Sequence, residues 1–201
     1  TMGEKLELVA DIGGTNTRVG LSQNSQLIRK SIKKFPNDNV KSLEDILKRY
    51  LSEQNLDTVS GICVALAGPV RHDIAKMTNL SWEITKDSLA RATGAKTIGL
   101  LNDLQAQGHA LDHLSDDQLL PVSGSRVAGS KETKLVCGIG TGFNACTVIS
   151  SSNGIIVPPA EAGHYRLPAA NQQQKEIVKM IEAKYGFASV ENILSGNGLV
   201  E

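Results

Sequence analysis

Four short stretches of this chain hold the residue types that could do chemistry. The first is Asp11-Ile12-Gly13-Gly14-Thr15-Asn16, which follows the apolar run Leu6-Glu7-Leu8-Val9-Ala10. A glycine-rich turn exposes backbone N–H groups and lets phosphate oxygens approach them, and threonine hydroxyls add donors. The same residues also make an ordinary hairpin turn. Asp11 sharpens the question, because a carboxylate beside phosphates is repelled unless a cation intervenes. Mg²⁺ does this, directly or through water; the competing reading is that Asp11 satisfies turn amides. The second stretch is Gly138-Ile139-Gly140-Thr141-Gly142. Neither loop matches G-x-x-x-x-G-K-[ST] or G-x-G-x-x-G, so any phosphate grip comes from turn amides and hydroxyls rather than from a helix end.

The other two stretches are polar knots. Asn102-Asp103 closes the apolar run Lys96–Leu101 and opens a helical pattern, the position where α/β sheets place their chemistry. Asn102 can donate and accept, Asp103 only accepts, and the pair suits neighbouring hydroxyls of a polyol. Asp103 could also take a proton from an attacking hydroxyl, or simply cap the helix. Glu161-Ala162-Gly163-His164 lies between Pro158-Pro159 and Pro168. Those prolines disfavour a helical metal motif, and a carboxylate with an imidazole fits hydroxyl recognition better. His72, His109 and His113 have no comparable setting and read as surface residues. The bland alternative for Glu191 is a solvated helix face.

Regular elements must position these residues. Leu6–Ala10, Arg18–Ser22 and Gln26–Lys34 read as three successive strands. Ser42 is the expected cap of a helix whose Leu43, Ile46, Leu47, Tyr50 and Leu51 form one buried stripe. Ser60–Ala67 reads as a strand covered on both faces. A helix is expected from Thr85, as cap, to Thr93 with Gly94 as its stop, then a strand over Lys96–Leu101 and a helix over Leu104–Leu111. Asp112–Lys131 is polar and weakly patterned, a crossover between two halves. The opening pattern then returns in phase: Leu8-Val9-Ala10-Asp11-Ile12-Gly13 matches Leu135-Val136-Cys137-Gly138-Ile139-Gly140, and a strand over Ala145–Ser150 follows. Asn171–Tyr185 is expected as a helix with Ile177, Met180 and Ile181 inward and Gly186 at its end. The order indicates a mixed α/β fold built from a duplicated unit.

Composition excludes several partner classes. The 201 residues carry 21 basic and 21 acidic side chains, so there is no electrostatic case for nucleic acid or an anionic membrane as main partner. Aromatic residues are 3%, too few for base-stacking platforms. No uninterrupted apolar stretch reaches the ~20 residues of a spanning helix. Cys63, Cys137 and Cys146 lie in apolar strand-like runs without metal spacing, which points to buried thiols and a cytoplasmic location. Thr1 ahead of Met2 reads as a tag remnant.

Taken together the stretches resemble the bacterial glucokinase family, within the sugar kinase, Hsp70 and actin superfamily. The resemblance rests on Asp11–Asn16, Met77-Thr78-Asn79 with Trp82, Leu101-Asn102-Asp103, Gly138–Gly142, Glu161–His164, and Glu191 with Ser195-Gly196-Asn197-Gly198-Leu199, in order along the chain. It implies a duplicated actin-like (ribonuclease H-like) ATPase fold, two lobes with a cleft. A small α/β domain over 1–112 would precede an incomplete large domain over 113–201. It implies an ATP-dependent hexose kinase that makes glucose 6-phosphate, with a homodimer in the full-length form. Asn79, Asn102, Asp103, Glu161, His164 and Glu191 would hold glucose, and Asp103 would be the base. Ala10, Asp11, Ile12, Gly13, Gly14 and Thr15, with Gly140, Thr141 and Gly142, would hold the ATP phosphates, and Asp11 would hold Mg²⁺ through water.

Two departures stand out. Phe143-Asn144 replaces the usual Leu-Gly, where asparagine would tolerate a left-handed turn. Ala162 replaces a usual glycine and would be strained at positive φ. The family also continues beyond the Ser-Gly-x-Gly-Leu segment, so the chain is expected to be a truncated or short form, and its own activity stays open. The alternatives are a kinase for another hexose, a non-catalytic sugar-binding or regulatory protein on the same fold, and an unrelated actin-like ATPase.

Overall fold

In the computed structural model, residues 5–77, 80–123 and 132–200 are described. Asn79, expected in the sugar site, and part of the 112–131 crossover lie outside them. The chain divides into two compact units, Thr1–Asp103 and Leu104–Glu201.

In the first unit the alternating apolar residues form β1 (Leu6–Ile12), β2 (Asn16–Gln23) and β3 (Gln26–Pro36), an antiparallel run. α1 (Leu43–Glu53) starts where the Ser42 hydroxyl accepts a hydrogen bond from the Asp45 amide at 3.3 Å, and it buries the expected stripe Leu43, Ile46, Leu47, Tyr50 and Leu51. β4 (Gly61–Leu66) lies parallel to β1. The short strands β5 (Val70–Arg71), β6 (Ile74–Lys76) and β7 (Glu83–Thr85) make a separate small sheet. α2 (Lys86–Thr93) begins with a reciprocal capping box between Thr85 and Ser88 and ends at Gly94 with φ 68°, a left-handed conformation that suits glycine. β8 (Thr97–Asn102) then adds parallel to β4, giving the sheet order β3-β2-β1-β4-β8. Leu8, Ala10, Ile12, Val64 and Leu66 pack with the apolar stripe of α1 in one core. β4 departs from expectation on its second face, where Cys63 and Ala65 are half-buried. That face is not sealed as the apolar run suggested.

α3 (Asp103–Ala110) begins at the division between units. The second unit contains β9 (Lys134–Ile139), β10 (Phe143–Ser151) and β11 (Gly154–Ile156), antiparallel in the order β11-β10-β9. One face of this sheet, with Cys146 and Val148, packs against Leu104, Leu111 and Val157. On the other face Leu135 and Ile139 are 63% and 61% exposed. Cys137 shares that open face and is exposed, which corrects the expectation of three buried thiols. α4 (Gln172–Tyr185) has its expected Asn171 cap and left-handed Gly186. Its inward stripe is corrected: Val178 is buried, Ile181 is half-buried, and Ile177 and Met180 are exposed, Met180 by 71%. Periodicity marks an apolar stripe but not the surface that covers it. Among the described residues no helix is long and apolar enough to cross a membrane.

Candidate active site

The first unit contributes two groups of expected site residues. The turn between β1 and β2 is closed by the Gly13 amide, which donates to the Asn16 carbonyl at 2.9 Å. Asn37, just past the end of β3 and 4% exposed, braces this turn. Its Nδ2 donates to the Gly13 carbonyl at 2.8 Å, its Oδ1 accepts from the Thr17 hydroxyl at 2.7 Å, and its amide donates to the Thr15 carbonyl at 2.9 Å. Gly14 and Thr15 stay exposed and, with Asn16, Asn37, Asp38 and Leu80, line a shallow cavity of about 450 Å³. Ala10 and Ile12 turn their side chains into the core, leaving only backbone to meet a ligand.

Asp11 sits opposite Arg18 in the β1–β2 register, and Arg18 Nη1 lies 3.2 Å from Asp11 Oδ2. The carboxylate therefore has a cationic neighbour within the hairpin. At the end of β8, Asn102 is buried and its Nδ2 donates to the Gly68 carbonyl at 3.2 Å. Asp103 is half-buried and is the first residue of α3.

The second unit gathers the remaining site residues around the β9–β10 hairpin. The Gly140 amide donates to the Gly142 carbonyl at 2.9 Å, and the Gly196 amide donates to the Gly140 carbonyl at 2.7 Å. The Ser195–Gly198 segment thus holds the loop from outside, and Thr141 is exposed. Glu161 precedes a 3₁₀ turn, Ala162–His164. Gly163 faces the backbone so closely that a Cβ there would stand 2.0 Å from the Phe143 carbonyl oxygen, so no other residue fits. Glu191 lies on a second 3₁₀ turn, Val190–Asn192. Its Oε1 is 3.5 Å from His164 Nε2, and its Oε2 lies beside Gly142 and Gly163. The structure therefore brings Gly140–Gly142, His164 and Glu191 together, with Glu161 immediately before the turn that ends in His164.

Both departures from the family pattern have a local answer. Neither Ala162 nor Asn144 is among the non-glycine residues at positive φ, so alanine is unstrained and asparagine is not there for a left-handed turn. Asn144 sits in β10, and its side chain bonds three backbone groups: Oδ1 accepts from the amides of Ala145 at 2.8 Å and Ala162 at 2.9 Å, and Nδ2 donates to the Ala160 carbonyl at 2.7 Å. Sequence reasoning missed the bracing by Asn37 and Asn144. The one local signal was an asparagine beside each glycine hairpin or strand end, a type given to bonding nearby backbone. Among the described residues no group of three or more His, Cys, Asp or Glu side chains could hold a metal ion.

With this geometry in hand, the chain can be set beside known proteins. A family model described as Glucokinase matches residues 8–201. Glucokinases of Chromohalobacter salexigens and Photorhabdus laumondii are 32% and 34% identical over 194 and 193 residues, in each case 96% of this chain and 60% of the relative. The structure is similar to that of a glucokinase from an Antarctic psychrotroph, with a TM-score of 0.82, 26% identity, and 97% of this chain and 62% of that one covered. It also shares its fold with a Balamuthia mandrillaris glucokinase solved in complex with glucose, at TM-score 0.73 and 24% identity over 100% of this chain and 62% of that one. The chain spans about 60% of the length of the curated relatives it matches. On the family match and these relatives, the mixed α/β units just described are those of an actin-like sugar-kinase fold, and the chain belongs to the glucokinase family.

Proposed function

We propose that this chain carries the hexose-binding and phosphate-binding residues of an ATP-dependent hexose kinase, with glucose as acceptor. The observation that carries this reading is the knot in the second unit. There a glycine hairpin with an exposed Thr141 adjoins the imidazole of His164 and the carboxylate of Glu191. The first is chemistry for a phosphate, the second for sugar hydroxyls. Family membership supports the same pairing, and glucose is the sugar in the Balamuthia structure.

In this reading Asn102, Asp103, Glu161, His164 and Glu191, with Asn79, hold the hexose, and the segments 10–15 and 140–142 hold phosphate oxygens. Asp103 accepts the proton of the 6-hydroxyl as that oxygen bonds the γ-phosphorus; the bond from the γ-phosphorus to its bridging oxygen breaks and ADP leaves. Catalysis of this kind is mostly positioning and charge stabilisation. Mg²⁺, when bound, neutralises phosphate charge. Asp11 fits an outer-sphere role for it: its carboxylate is more than half exposed beside the loop, and Mg²⁺ keeps most of its waters.

The test is ADP release by the purified protein with Mg-ATP, with and without hexose. Hexose-dependent release is expected. Its absence with glucose, mannose, fructose and glucosamine removes the kinase reading, and hexose binding without Mg-ATP binding replaces it with a sugar-binding regulatory protein. Asp103→Asn should lower turnover by about 10²–10⁴-fold, the usual worth of a general base, with glucose binding retained in calorimetry. Unchanged turnover takes the base role away from Asp103.

A further inference from the structure

We infer that Asn144 is a positioning residue for the hexose site, fixing the Glu161–His164 turn to the glycine hairpin. This rests on the reading of Glu161 and His164 as hexose ligands. The residue is half-buried, and its amide oxygen uses both acceptor positions on the backbone amides of Ala145 and Ala162. Its amide nitrogen holds the Ala160 carbonyl. Two of these three bonds reach 16 and 18 residues along the chain, to the backbone on either side of Glu161. Two residues after Glu161, Gly163 rests against the Phe143 carbonyl. The turn is thus held at Ala160, Ala162 and Gly163 by consecutive residues, Phe143 and Asn144, of one strand.

That grip has a directional consequence. Phe143 and Asn144 follow directly on Gly140–Gly142, so any shift of the hairpin is passed to the turn holding Glu161 and His164. Neither a glycine nor an alanine at 144 can supply the three bonds. Without them the turn keeps its covalent path but loses its register on the hairpin. Misplacement of positioning groups by about 1 Å is enough to cost an active site roughly 10²-fold. The carboxylate of Glu191 meets the turn at His164 and Gly163, whereas the bonds of Asn144 hold it at Ala160 and Ala162.

The test compares wild type, Asn144→Ala and Asn144→Asp in two measurements: D-glucose affinity by calorimetry and amide hydrogen exchange at Ala162. Asn144→Asp is nearly isosteric and keeps the acceptor for Ala162 while setting an oxygen against the Ala160 carbonyl, so it guards against a variant that fails to fold. A tenfold or greater loss of glucose affinity in Asn144→Ala is expected, with faster exchange at Ala162 and an unchanged far-ultraviolet spectrum. A smaller but clear loss is expected in Asn144→Asp. Glucose affinity within twofold of wild type in both folded variants overturns the role of Asn144 while leaving the hexose site standing. Wild type that binds no glucose, mannose, fructose or glucosamine removes the hexose site itself, and the role of Asn144 with it.

Discussion

The two glycine hairpins share a sequence phase but not a setting. In β1 the alternating residues Leu8, Ala10 and Ile12 are buried, Leu8 completely. In β9 the matching residues Leu135, Cys137 and Ile139 are exposed, and the intervening face packs against Leu104 and Leu111 instead. β1 stands in the middle of a five-stranded sheet, whereas β9 is an edge strand among the described residues. The loops differ too. The first is braced by the buried side chain of Asn37, the second by the backbone of Gly196. Repetition of a pattern therefore preserves the turn while leaving the covering layer and the brace free to change.

Substitutions can break this contrast. The largest effect is expected from Leu8→Ala, which opens a cavity in a sealed core and should cost about 2–5 kcal/mol. Urea unfolding followed by Trp82 reads it out, since the single tryptophan is buried in the same core. Next comes Asn37→Ala. It strands the Gly13 carbonyl and the Thr17 hydroxyl, and should cost about 1–3 kcal/mol by the same probe. If the first loop were held by backbone alone, as the second is by Gly196, the loss would be near zero. Arg18→Ala should cost only about 0.2–1 kcal/mol, and less at high salt, because its ion pair with Asp11 is exposed. The smallest effect is expected from Leu135→Ala, within about 0.5 kcal/mol by circular dichroism, because this leucine is largely in solvent already. A loss approaching that of Leu8→Ala would show that the open face of β9 is covered in solution.

Much of the framework was legible because its signals are local. Ser42, Thr85 and Asn171 cap helices three residues ahead of the amides they bind, and Gly94 and Gly186 end them by backbone conformation. The same holds for the paired strands around each hairpin and for the family resemblance, which used short motifs in order. What was not legible is long-range. The bond from Asn37 to Gly13 spans 24 residues, and that from Asn144 to Ala162 spans 18. Nothing in either neighbourhood announces its partner. Likewise the stripe Ile177, Met180 and Ile181 identified a helix face correctly as apolar, yet burial depends on a surface supplied from elsewhere in the chain. The turns carrying His164 and Glu191 meet for the same kind of reason, through strands and turns far apart in sequence.

Ser31 shows how the outer edge of the larger sheet is guarded. The register of β2 and β3 shifts between Val19 and Leu21, and there the Ser31 hydroxyl accepts from the Leu21 amide at 2.8 Å and donates to the Ile28 carbonyl at 2.6 Å. A side chain has taken the place of a ladder bond, so the edge strand bends where a flat one would offer a template. Arg29, Lys30, Lys33 and Lys34 line the same strand with positive charge. A second molecule arriving to extend the sheet at β3, an edge strand among the described residues, would meet a shifted register and like charges.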